Sequence, residues 1–212
     1  MAKAKICGLS TPEAVAAALE GGAAYLGFMF FERSPRNVTP EAAARLAAPA
    51  RGPAKIVAVT VDPDDAALDH IMAQLKPDLI QLHGRETPAR AAAVAQRTGA
   101  GVIKVLHVSE AADFDAAGPY EGAAQHLMFE ARPPRESDRP GGLGVSFDWS
   151  LAAGRRYARP WFLAGGLDPW NVAEAISQSG APLLDVSSGV ERGPGVKDPA
   201  LISAFLEAVR RA

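Results

Sequence analysis

The sequence predicts an α/β protein folded as one single-domain (β/α)8 TIM barrel, and two repeating features predict it. A capping residue followed by proline occurs six times along the 212 residues, each time before an Ala-rich or amphipathic stretch of helical length. Short runs rich in Val, Ile, Leu and Phe, bounded by Gly or Pro, precede these stretches, which is how strands buried on both faces read.

The elements follow in order. The run at residues 4–9 leads to Thr11-Pro12, 24–31 to Thr39-Pro40, 55–61 to Asp62-Pro63, and 79–83 to Thr87-Pro88. In each pair the side-chain oxygen can satisfy an early helical N–H, and proline presets φ at the first helical position. Runs at 102–108 and 126–131 lead to Ser109-Glu110 and Ser146-Phe147-Asp148, helix starts without the dipeptide. Runs at 161–164 and 183–187 lead to Asp168-Pro169 and Asp198-Pro199. The six dipeptides are 28, 23, 25, 81 and 30 residues apart; 81 is three times 27, so the long gap holds three units and the count is eight helices. An open doubly wound sheet is the alternative fold, but it uses fewer strands, and no G-x-G-x-x-G follows the first run.

Composition narrows the partners. With 22 Lys and Arg against 24 Asp and Glu, the formal charge of -2 gives no general attraction for nucleic acid or an anionic membrane. The single cysteine, Cys7, excludes an intramolecular disulfide and a Cys-rich zinc site. The first ten residues lack the apolar run of a signal peptide, and no apolar stretch approaches a membrane span, so a cytoplasmic protein is expected. One segment breaks the short-loop pattern: 132–144, RPPRESDRPGGLG, with three prolines and three glycines. On the C-terminal side of strand six it is expected to be an active-site lid; a tolerated surface insertion is the other reading.

In a barrel the chemistry sits at the C-terminal ends of the strands. Lys5 and Cys7 are two apart on strand one and face the same way, so the ammonium could favour a thiolate or pair with a carboxylate. Cys7 alone is either a small buried apolar residue or a base. Glu130, after Leu127-Met128-Phe129, is either an internal ion-pair partner or an acid whose pKa is raised by apolar surroundings. His83 is a hydrogen-bonded wall residue, with no second His or Asp at metal-ligand spacing. Arg36 is a solvated charge or a fork for a substrate carboxylate. Gly165 and Gly166 after strand seven, with Ser187, Ser188 and Gly189 after strand eight, predict a phosphate site built from backbone donors.

In this order the segments Lys5-Ile6-Cys7-Gly8-Leu9, Ser34-Pro35-Arg36, Gln81-Leu82-His83-Gly84, Pro140-Gly141-Gly142, Phe147-Asp148-Trp149, Leu163-Ala164-Gly165-Gly166-Leu167 and Asp185-Val186-Ser187-Ser188-Gly189-Val190-Glu191 resemble the phosphoribosylanthranilate isomerase family of tryptophan biosynthesis, along essentially the whole chain. The resemblance implies a (β/α)8 barrel and a cofactor-free, metal-free Amadori rearrangement of N-(5-phosphoribosyl)anthranilate to 1-(2-carboxyphenylamino)-1-deoxyribulose 5-phosphate. It implies a phosphorylated aminosugar as the partner, and a monomer. By the same resemblance Cys7 is the general base, Arg36 holds the anthranilate end, and loops seven and eight hold phosphate; Lys5 and His83 are expected beside them as substrate-binding residues. One position departs: the family's acid is an aspartate at the end of strand six, where this chain has Glu130. The alternative to an active isomerase is a phosphate-ligand-binding barrel with weak or lost turnover. A different sugar-phosphate isomerase or epimerase barrel would need a metal or paired carboxylates at the strand ends.

Overall fold

The computed structural model describes residues 1–132, 141 and 144–212; most of the expected lid therefore lies outside the described residues. Eight parallel strands close into a barrel: β1 (Lys3–Cys7), β2 (Tyr25–Phe30), β3 (Lys55–Thr60), β4 (Leu79–Leu82), β5 (Gly101–Val108), β6 (His126–Ala131), β7 (Trp161–Leu163) and β8 (Leu183–Val186). Each strand pairs with the next, and β8 returns to β1 with Lys5 opposite Asp185. The runs read as continuous apolar sequence because both faces are buried. Outward residues such as Ile6, Leu26, Ile56, Ile80 and Leu127 pack under the helices, and inward ones such as Val57, Val59, Ile103, Val105, Met128 and Phe162 fill the barrel.

That alternation places the polar residues. Cys7, Leu79, Val105, Met128 and Leu183 belong to the inner cluster. A residue two positions from any of them on its strand therefore points inward, which aims Lys5, Gln81, His107, Glu130 and Asp185 into the barrel.

The helices among the described residues are α1 (Pro12–Glu20), α2 (Pro40–Ala47), α3 (Asp65–Gln74), α4 (Pro88–Thr98), α5 (Val172–Ser179) and α6 (Pro199–Arg211). Thr11, Thr39, Thr87 and Asp198 cap as the dipeptide predicts, each accepting a bond from an N–H two or three residues on. Two dipeptides do not cap directly. Asp64 caps α3, while the carboxylate of Asp62 accepts the Arg85 N–H at 2.7 Å in the next loop. Asp168 makes a local turn, accepting from Trp170 and Asn171, and α5 begins four residues later. The expected helices five and six are 3-10 segments, Ala111–Tyr120 and Trp149–Ala152. Gly118-Pro119 denies the first an α-helical continuation, and Gly154 at φ 70° stops the second. The first still covers the barrel, its Phe114 ring centred 4.8 Å from the fully buried Phe129, which Tyr157 and Trp161, beyond the second segment, also meet at 5.0 and 5.6 Å; in the second segment Ala152 is buried.

One element was not foreseen. A hairpin of β9 (Glu191–Gly193) and β10 (Val196–Lys197) follows β8, and its turn presses on the loop after β2 so closely that a Cβ on Gly195 would lie 2.5 Å from the Pro35 carbonyl oxygen. Among the described residues no helix is long and apolar enough to cross a membrane.

Candidate active site

The C-terminal ends of the strands enclose two adjoining cavities. One, of about 460 Å³ including its mouth, is lined by Cys7, Arg36, His83, Glu130 and Asp185 among others. The second, about 400 Å³, shares Glu130, Gly141, Asp185 and Ser187 with the first and extends to Gly165, Gly166 and Ser188. The groove thus has a side-chain-rich end and a glycine-rich end.

Lys5 is wholly buried, and its Nζ lies 2.8 Å from Asp185 Oδ1. The ammonium is paired with a carboxylate, as one reading of Lys5 has it, and also lies near the Cys7 thiol. Burial would push the Lys5 ammonium down, but the charges of Asp185 and Cys7 more than offset this and hold it above its ordinary value. For Cys7 burial dominates. It pushes the thiol up, against the pull of Lys5 and Lys197 and with the help of Asp185, so Lys5 alone does not produce a standing thiolate.

Glu130, 7% exposed, places Oε2 2.6 Å from His83 Nε2. His83 Nδ1 in turn lies 3.1 Å from the Gln81 amide. On the other side is His107, the register partner of Glu130 on β5, with Nε2 3.9 Å from the same oxygen. Two groups able to ligate a metal, His107 and Glu130, thus lie beside His83, although neither stands at metal-ligand spacing from it in the sequence. No spacing along one segment reveals this, because the three residues come from β6, β5 and the end of β4, brought together by the pairing of adjacent strands. Their ligating atoms all lie within 4.8 Å of one another. Gly141 lies over the pair, and a Cβ there would fall 2.4 Å from Glu130 Oε2.

Arg36 is not a solvated charge; it is 4% exposed. Its Nε and Nη2 donate to Glu191 Oε1 and Oε2 at 2.7 and 2.8 Å, a bidentate fork. Glu191 also accepts from Lys197 Nζ at 2.6 Å, and the same ammonium donates to the Ser187 carbonyl oxygen at 2.9 Å. Burial would raise the Glu191 carboxyl, but the bonds from Arg36 and the charge of Lys197 hold it below its ordinary value. Sequence reading gave Glu191, Asp185 and Gln81 no role beyond their motifs, and passed over Lys197 and His107. Inward alternation on the strands was the available signal for Asp185, Gln81 and His107; Lys197 sits in a two-residue strand and carries none.

At the glycine-rich end, Gly165, Gly166, Ser187 and Ser188 line the groove together. Gly165 has φ 90°, and a Cβ would meet the Ala131 nitrogen at 2.8 Å, so only glycine brings this backbone so near β6. Gly189 stands behind the lining, where a Cβ would fall 1.9 Å from the Leu167 carbonyl oxygen. Ser187 Oγ donates to the Cys7 carbonyl oxygen at 3.2 Å, tying this loop to β1.

Comparison with known proteins gives one answer. The family model described as N-(5'phosphoribosyl)anthranilate (PRA) isomerase matches residues 4–208. An N-(5'-phosphoribosyl)anthranilate isomerase of Caulobacter sp. (strain K31) is 68% identical over 212 residues, covering 100% of both chains. That of Brucella canis is 53% identical over 208 residues, covering 98% of this chain and 94% of the relative. Among solved structures, phosphoribosyl anthranilate isomerase from Thermotoga maritima superposes over 100% of both chains with a TM-score of 0.89 at 31% identity. A phosphoribosyl anthranilate isomerase in complex with reduced 1-(o-carboxyphenylamino)-1-deoxyribulose 5-phosphate gives 0.84 at 30% identity, again over 100% of both chains.

Proposed function

The chain belongs to the N-(5'-phosphoribosyl)anthranilate isomerase family, and from that premise we propose how its own residues carry the reaction. The activity is the isomerisation of N-(5-phosphoribosyl)anthranilate to 1-(2-carboxyphenylamino)-1-deoxyribulose 5-phosphate, an aldose-ketose interconversion. Glu130 donates its proton to the furanose ring oxygen as the C1–O bond breaks, leaving an iminium at C1. Cys7 then takes the proton from C2, and the enolamine becomes the ketone. Proton transfer by positioned groups of this kind supplies roughly 10²–10⁴-fold each.

The observation that carries this reading is the meeting of Cys7, Glu130 and Arg36 on one cavity continuous with the glycine-rich loops. Arg36, held on one edge by Glu191, binds the anthranilate carboxylate; Gly165, Gly166, Ser187, Ser188 and the turn at Gly189 bind the phosphate; Lys5 and His83 complete the pocket. The thiol rests protonated, and the positive charge of the iminium, added to those of Lys5 and Lys197, favours the thiolate at the moment it is needed. Glu130 reaches His83 as the longer acid. That contact supports an active enzyme over a barrel that only binds phosphate.

We place the enzyme in the cytoplasm as a monomer. Its exposed large apolar side chains among the described residues, Met1, Val145, Trp170 and Val196, stand at separate points of the chain. Substrate generated in situ and followed by loss of anthranilate-type fluorescence tests the assignment. Turnover by the wild type, with losses of on the order of 10²-fold or more in Cys7→Ala and Glu130→Gln, is the expected result. Full activity in Glu130→Gln removes that residue from the mechanism, and sedimentation as a dimer overturns the monomer.

A further inference from the structure

We propose that His83, His107 and Glu130 form a site for a divalent metal of the zinc type, and that a metal bound there inhibits the enzyme. The three side chains enter the barrel mouth from consecutive strands or their ends, so their proximity follows from register: His107 and Glu130 are Cα partners on β5 and β6. Two imidazoles and one carboxylate match the donor set of three-ligand zinc sites that leave a fourth position open. Around tetrahedral zinc, neighbouring donor atoms stand about 3.3 Å apart for bonds near 2.0–2.1 Å. Here Glu130 Oε2 is 2.6 Å from His83 Nε2 and 3.9 Å from His107 Nε2, so modest side-chain rotations open one separation and close the other. His83 and Glu130 are nearly enclosed, whereas the His107 side chain is 24% exposed and gives access from solvent.

A second observation comes from the far side of His83. A metal at Nε2 requires the ring proton on Nδ1, and such a ligand donates that N–H to an outer oxygen. Gln81 is wholly buried beside Nδ1, and its Oε1 has no hydrogen-bond partner among the described residues. Turning the amide through a half rotation sets Oε1 against the Nδ1–H. Glu130 binds as the carboxylate, so the proton it carries as the acid is released to solvent, and His83 coordinates through Nε2 as the neutral imidazole with its proton on Nδ1. Inhibition, unlike binding, rests on the reading of Glu130 as the acid: an oxygen coordinated to metal no longer carries the proton that opens the sugar ring.

Cobalt titration of EDTA-treated whole protein tests the site directly. One equivalent of Co2+ is expected to give visible d–d bands of low coordination number without a sulfur-to-metal charge-transfer band, and Zn2+ to displace it. Turnover is expected to fall with occupancy and to return with EDTA. His107→Gln, folded by circular dichroism, should weaken cobalt binding at least about tenfold, on the scale seen when metal-site partners are lost, and keep turnover in EDTA. His107→Asn serves if the first variant misfolds, and Cys7→Ser should bind cobalt as the wild type does. Absence of d–d bands at millimolar cobalt, unchanged binding in both His107 variants, or a charge-transfer band lost in Cys7→Ser overturns the site. Full cobalt binding with undiminished turnover leaves the site standing and overturns the acid role of Glu130 with the inhibition.

Discussion

One methylene decides where the proposed acid of this pocket sits. Glu130 meets His83 at 2.6 Å, with Gly141 closing over the pair, so the surroundings are fitted to the longer side chain. Shortening it draws the carboxyl back by roughly an ångström, and displacement of that size costs on the order of 10²-fold in rate. Glu130→Asp should therefore lower kcat, although aspartate is the residue the family resemblance implies. A rise in kcat in the same fluorescence assay contradicts the fitted-site reading. Lys5→Met tests the base. Removing the ammonium leaves Asp185 buried and unpaired, which costs about 3–5 kcal/mol, and takes away a charge that pulls the Cys7 thiol down. Since the base must be deprotonated, a higher thiol pKa moves the rising limb of kcat/KM to higher pH, measurable in a pH profile. At this scale the sequence showed which residues face the pocket, because alternation on a strand is local. It did not show their partners: Asp185 lies 180 residues from Lys5, and Arg36 and Glu191 are 155 apart.

Among the elements, the hairpin of β9 and β10 carries the most consequence for its size. Glu191 grips Arg36, and Lys197 ties Glu191 to the loop after β8, so seven residues of chain, 191–197, join the two ends of the groove. Glu191→Gln removes the charge that orients the guanidinium while keeping the shape. KM should rise about tenfold or more, the scale of a charged hydrogen bond, with a smaller change in kcat. An equal fall in kcat and kcat/KM argues that the hairpin acts on chemistry rather than binding. Asp113 shows the same economy at a cap. Partial burial works against its ionisation, but the N–H and hydroxyl of Ser109, the N–H of Glu110 and Arg132 hold its pKa at about 2. Its contribution, up to about 2 kcal/mol, is present above the unfolded value near pH 4 and is lost as pH falls through about 2. Asp113→Asn should thus destabilise the protein at neutral pH in denaturant melts and converge with the wild type near pH 2. Capping chemistry made four helix starts legible because it acts within three residues. The 3-10 segments were less so, since they are limited by Gly118-Pro119 and Gly154, and the first is held by the packing of Phe114 on Phe129.

For the whole molecule, closure makes the barrel a single unit. β1 is held by β2 on one edge and β8 on the other, and α6 packs across that seam, with Leu206 against Gly21 and Arg210 donating to the Gly21 carbonyl oxygen at 2.9 Å. The eightfold repeat was readable because each unit re-uses a local pattern of strand, turn and cap. The seam was not, because it joins the two ends of the chain. Phe205 on α6 is completely buried and far in sequence from every residue of the site except the β9–β10 hairpin and loop eight. Phe205→Ala should cost about 3–5 kcal/mol and lower Tm by roughly 6–20 °C for a chain of this size. If the barrel is one cooperative unit, calorimetry will show a single transition in both proteins, and loss of turnover on heating will coincide with it. Two separated transitions, or turnover that outlasts the first, would mean that the C-terminal units open as a subdomain while the proposed acid on β6 and base on β1 remain in place.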